Sequence, residues 1–156
     1  MGWQLQNNLR GPSALRLGRL EAALSSSSNS TWSSVFSVTI EPQACLSFQA
    51  WLYFTAATPG TGLVTSLNGP AGAAAVIVNM LTGESTTNLR NLSATGYDTP
   101  LVGTGSGGSN NILLAQVSGT VENGSSGGSL LLRFRSEVNG SAVNLARGSW
   151  WQVLKH

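Results

Sequence analysis

Leu46-Ser47-Phe48-Gln49-Ala50-Trp51-Leu52-Tyr53-Phe54 is the stretch on which the fold turns. Leu46, Phe48, Ala50, Leu52 and Phe54 alternate with Ser47, Gln49, Trp51 and Tyr53, a period of two that only a strand satisfies. One face is apolar throughout and the other mixed, which predicts a central strand of a half-buried sheet. Upstream, Val35, Phe36, Val38 and Ile40 lead to Glu41-Pro42, a strand end. Downstream, Pro59-Gly60 turns into Leu63–Leu67, and Asn68-Gly69-Pro70 turns back into Ala73–Met80. Residues 83–111 are polar and glycine-rich, and read as long loops around a short strand. Ile112–Val121 is a further strand. Leu130–Arg135 is expected to pair with Ala142–Leu145 across Asn139-Gly140, because both turn residues tolerate the positive φ of a type I′ hairpin. Trp150, Trp151 and Val153 form the last strand. About eight strands and no helix after residue 32 predict an all-β fold, a single antiparallel β-sandwich or barrel of jelly-roll-like topology.

The composition is that of one folded domain with an unusual surface. The chain has 156 residues, 41% hydrophobic and 9% charged, where about 25% charged is ordinary. Solvation falls to 22 Ser, 13 Thr and 12 Asn beside 19 Gly. The net charge of +2 rests on eight cations and six anions, too balanced to form the basic stripe that nucleic acid requires. No 18-residue apolar run is present to span a membrane. The N-terminus lacks a secretory signal, so assembly in a cytoplasm is expected.

The titratable inventory argues against catalysis. The one His is His156, the one Cys is Cys45 and the one Asp is Asp98. No intrachain disulfide or cysteine zinc site can be built from these. The five Glu stand at no acid/base or metal-binding spacing. No catalytic residue, metal site, cofactor or small-molecule substrate is therefore expected. Gly103–Gly108 lacks the Lys and helix of a phosphate loop and reads as a plain loop, while Cys45 reads as a small buried hydrophobe.

Residues 1–31 differ from the rest and are read as an N-terminal arm with a Ser-rich linker (Ser25–Ser30), leaving 32–156 as the β domain. The arm carries Trp3, Leu5, Leu9 and Arg10, then Leu15, Arg16, Leu17, Arg19, Leu20 and Leu24, on a stretch whose helical and strand patterns conflict. Apolar side chains held off by a linker need a surface to bury against, so these residues are candidate contacts. In the β domain the candidates are Trp51, Tyr53, Trp150 and Trp151. Consecutive indoles point to opposite faces of a strand and cannot share one core, and exposed Trp is a favoured contact anchor. With few amides or carboxylates expected beside these rings, contact between subunits is preferred to carbohydrate stacking.

Two stretches carry a family resemblance. Phe48–Thr58 with Gly62-Leu63 and Leu67–Ala71 is the first. Gly128–Val143, ending in Gly148-Ser149-Trp150, is the second and the more specific. Both resemble a β-sandwich module of tailed-bacteriophage structural proteins. Trp150-Trp151 and the Leu/Arg-rich arm depart from that pattern. The resemblance implies a virion protein, commonly a trimer. The resemblance leaves head or tail open, and one small β domain with an arm fits best a capsid decoration (cement) protein on the outer capsid surface, assembled in the bacterial host cytoplasm. Its partners would be itself, as a homotrimer, and the major capsid protein. The alternative is a tail or baseplate component, including a receptor-binding tip. A glycan depolymerase ranks third.

Overall fold

The computed structural model describes residues 14–84, 88–105 and 111–156. Among them the chain forms twelve strands and no helix. They are β1 (Ala14–Arg19), β2 (Leu24–Ser26), β3 (Ser33–Ile40), β4 (Cys45–Ala56), β5 (Leu63–Asn68) and β6 (Ala75–Gly83), then β7 (Leu89–Thr95), β8 (Leu101–Val102), β9 (Leu113–Glu122), β10 (Gly128–Ser136), β11 (Val143–Leu145) and β12 (Trp150–Lys155). Eight of them make a large sheet in the order β1-β12-β4-β9-β6-β7, with β11 bridging β4 and β2. The other four make a small sheet in the order β3-β10-β5-β8. The pairings are antiparallel, and the sheets stay separate, so the fold is a sandwich rather than a closed barrel.

The alternation of β4 places Phe48, Ala50, Leu52 and Phe54 in the core, as its sequence predicts, and β4 runs between β12 and β9 inside the large sheet. Leu130, Leu132 and Phe134 of β10 meet them from the small sheet, all fully buried. Each such side chain contributes about 1.5–3 kcal/mol by leaving water. Phe36 of β3 and Trp151 of β12 stack across the two layers, centroids 5.2 Å apart at 10°.

Successive strands change sheets: β3 to β4, β4 to β5, β5 to β6, then β8 to β9, β9 to β10 and β10 to β11. This corrects the expected hairpin at Asn139-Gly140. β10 lies in the small sheet, whereas β11 pairs with β2 and β4 in the large one. Gly140 does adopt φ +80°, but Asn139 does not have positive φ, so this is no type I′ turn. The crossover is held otherwise. The buried Ser136 hydroxyl donates to the Ser141 carbonyl at 2.7 Å, and the Gly140 N–H donates to the Ser27 carbonyl at 2.7 Å. The Asn68-Gly69-Pro70 turn is likewise a crossover. Among the described residues of 83–111, two strands form where one was expected.

From Ala14 onward the segment read as an arm and linker belongs to the sandwich. β1 runs along β12 from Ala14↔Lys155 to Arg19↔Trp150, and β2 along β11. The Leu20 N–H donates to the Ser149 carbonyl at 2.7 Å, and Leu20 is buried. The reason is the backbone: β12 would otherwise present an unpaired edge, and β1 satisfies it. Trp3, Leu5, Leu9 and Arg10 lie outside the described residues.

Candidate functional site

Period two fixes which side chains each strand of the large sheet turns away from the core, and register sets them in rows. One row reads Arg19, Trp150, Trp51, Gln116, Leu81 and Asn91 across the six strands. The next reads Leu17, Gln152, Gln49, Ser118, Asn79 and Ser93, and the third Leu15, Leu154, Ser47, Thr120, Ile77 and Thr95. Tyr53 and Leu114 stand opposite each other one row further out. Eight of the ten exposed large hydrophobic residues among the described ones lie on this face, including Leu17 at 51% exposure and Ile77 at 49%. Such a concentration is what a contact surface shows and a solvated one avoids.

The face is also free of fixed charge across its middle. Arg19, paired with Glu21 at 3.4 Å, stands at one border, and Glu122 at the end of β9. His156 reaches Ser47 at 3.0 Å from the chain end. The polar residues between are amides and hydroxyls that bond among themselves: Gln152 donates to Gln49 at 3.2 Å, and Ser93 to Asn79 at 2.7 Å.

At its centre Trp51 and Trp150 stack with centroids 4.1 Å apart and planes at 10°. Each therefore covers one face of the other. Tyr53 lies on this face too, as expected. Trp151 does not: at 1% exposure it belongs to the core, because its neighbour Trp150 takes the outward position. Leu20 is also a core residue, and Leu24 packs against the core. Leu15 and Leu17 point outward from β1. Arg16 is turned to the opposite side, at the open edge between the sheets. The expectation of few amides near the indoles is corrected, since Gln49, Gln116 and Gln152 flank them. Leu154, Ile77, Leu81 and Leu114 were missed, although the alternation within 75–83, 113–122 and 150–155 places them on the same side as the polar positions. Cys45 is exposed rather than buried.

Two hollows among the described residues are chemically poor. At the open edge between β1, β12 and β3, Arg16, Glu41 and Lys155 rim an apolar floor that includes Val38, Ile40 and Val153, with a cavity of about 50 Å³. Ligand sites for drug-sized molecules occupy about 300–1,000 Å³. Lys155, bonded to Glu41, holds that carboxyl below its usual range, with Arg16 adding to the effect. A wider hollow of about 410 Å³ is lined by Gly72–Ile77 and Thr95–Tyr97 and lies open to solvent. Its ionisable group is the Tyr97 phenol, pushed up to about 12 by burial. Among the described residues no three His, Cys, Asp or Glu gather where they could hold a metal.

The outer face of the small sheet has the opposite character. Arg133 and Arg135 lie over the Trp32 ring at 5.0 and 4.5 Å, and Arg133 pairs with Asp98. Arg135 donates to the Asn29 carbonyl.

No family model matches the chain, and no curated protein matches it. Among solved structures, the chain is similar to one described as infectious bursal disease virus Gx strain. Identity there is 12% and the TM-score 0.30, over 92% of this chain and 39% of that one. It is similar also to the infectious bursal disease virus VP2 subviral particle, at 15% identity and TM-score 0.27, over 92% and 40%. The Gt strain structure gives 15% identity and TM-score 0.28, over 92% and 37%. The chain thus spans about two fifths of the structures it matches.

Proposed function

We propose that this chain is a virion structural protein of a tailed bacteriophage, a decoration protein that binds the outer capsid surface as a homotrimer and links capsomers. The observation that carries this reading is the broad, uncharged outer face of the large sheet. It offers a surface for association: apolar side chains are displayed in rows, and among the described residues no cluster of titratable groups stands beside them. The sequence resemblance supports the choice of virion and of phage. A protein of this kind acts by multivalency, since one oligomer engages several sites at an effective concentration set by its own geometry. The test is co-sedimentation of the purified protein with expanded capsids lacking it, followed by thermal challenge. Saturable binding with raised capsid stability is expected, and absence of binding refutes the decoration role. The glutamines beside Trp51 and Trp150 favour one second reading, a receptor-binding tip. Glycan binding abolished by Trp51→Ala would support that reading.

A further inference from the structure

We infer that the outer face of the large sheet is where one copy of this chain packs against another, each copy in a symmetric oligomer turning this face toward the shared axis. The inference rests on the reading above only for the number of copies, three. The face itself argues for self-contact on its own grounds.

The first ground is self-complementarity. With this face turned to the shared axis, the residues closest to that axis lie near their own counterparts, so any fixed charge there would meet its like. The rows hold no Asp, Glu, Lys or Arg except at the borders, where Arg19 and Glu122 stand. Gln and Asn amides and Ser and Thr hydroxyls each donate and accept hydrogen bonds, so a second copy of the same set can satisfy them. A strongly charged partner would find nothing to pair with. A lipid surface would bury these amides without hydrogen bonds, at a cost of several kcal/mol each on a hydrocarbon scale.

The second ground is extent. Six strands at about 4.8 Å spacing and four rows at about 6.8 Å intervals give a flat footprint of about 500 Å². Side-chain relief raises the accessible area toward the roughly 800 Å² per partner of a standard interface.

The third ground is β1. Its outward side chains, Leu15 and Leu17, stand beside Leu154 and Gln152, while its inward positions are Arg16 and Gly18. The strand therefore contributes its leucines to the outer face and none to the core. They leave water only if another body covers that face. The outer face of the small sheet lacks the first of these properties, because Arg133, Arg135 and Asp98 give it fixed charges.

Sedimentation equilibrium across the micromolar range, on the full chain, is the experiment. The wild type is expected to associate. Gln116→Glu combined with Ser118→Glu places carboxylates in the middle of the face and should weaken association by about a hundredfold or more, since like charges across an interface are strongly unfavourable. Thr39→Glu, on the exposed side of β3, should leave it unchanged. Hydroxyl-radical footprinting of the wild type, dilute against concentrated, guards against a misfolded variant. Tyr53, Ile77, Leu81 and Leu114 should become protected, and Ile112 and Val138 should not. A wild type that stays monomeric overturns the inference, all the more if Trp51-dependent glycan binding then accounts for the face. A trimer that survives the double substitution, with its protection elsewhere, overturns the inference and leaves the trimeric reading standing. A dimer protected on this face does the reverse.

Discussion

Leu20→Ala measured against Leu17→Ala decides whether the N-terminal segment is part of the domain or an appendage. Both residues lie in the stretch whose sequence suggests a detached arm, three positions apart. Leu20 is 7% exposed, and its N–H and carbonyl both engage the β11–β12 connection, with Ser149 and Gly148 at 2.7 and 2.9 Å. Truncating a leucine buried to that degree removes its transfer energy and leaves a void, together about 2–5 kcal/mol. For a domain of this size each kcal/mol moves the melting temperature by about 2–4 °C, so a fall of roughly 5–15 °C is expected. Leu17 is 51% exposed on the outer face, and its truncation in the monomer should cost no more than about 0.5 kcal/mol. The assay is chemical denaturation of both variants, at dilutions too low for copies to associate, with the slope checked for constancy. Equal and small losses would mean that the segment is not docked through Leu20, and the placement of β1 on β12 would fall with it.

Trp151→Ala should cost about 3–5 kcal/mol, the range for a large buried aromatic, because Trp151 fills the core against Phe36. Trp150→Ala should cost far less in the monomer, and equal losses in denaturant melts would mean that the inward and outward indoles are misassigned. Tyr97→Phe removes a buried hydroxyl that has no hydrogen-bond partner, so stability near neutral pH should hold or rise by about 1 kcal/mol. Burial lifts the Tyr97 phenol to about 12, above its ordinary value of about 10. The unfolded chain therefore ionises first: the stabilisation is complete below pH ~10 and is lost as pH rises toward ~12. Thermal melts at neutral and alkaline pH should show a smaller alkaline loss in Tyr97→Phe than in the wild type. An identical loss would mean that the phenol is solvated.

Strand positions were legible because burial acts on each residue locally. β3, β4, β9 and β10 lie within two residues of where alternation puts them, since their inward positions are predominantly Val, Leu, Ile, Phe or Ala. Connections were not legible in the same way. Asn139-Gly140 supplies the positive φ that a turn needs, but a turn of six residues that leads into the other sheet needs it equally. What separates the two cases is the partner of β11, and that partner, β4, is some ninety residues away in sequence. β1 was ambiguous for a related reason. Its inward positions are Arg16 and Gly18, so it lacks an apolar inner face, and its attachment is by backbone pairing that side-chain patterns do not report. Within 83–111 only one short strand was legible, without bounds, because Arg90 and Asn91 break the apolar run of β7 at an edge of the sheet.

The candidate surface was half legible, and the missing half shows where single-strand reasoning stops. Trp51 and Trp150 are each conspicuous in the sequence, but nothing local to either says that they touch. Only the register Trp150↔Trp51 brings them together. The same pairing brings Gln152 beside Gln49, and the next strand adds Gln116 and Ser118. An outward residue such as Ile77 reads alone as one exposed hydrophobe among many, which is ordinary for any soluble domain. Eight of them on one side of one sheet are not ordinary, and the absence of charge between them turns a scatter into a surface. Low charge over the whole chain then has a structural meaning. Among the described residues the charges are gathered at the edges and on the small sheet, where Arg133 and Arg135 cover Trp32. The large sheet is left as the side on which desolvation costs least, and that asymmetry is why we propose it as the side of association.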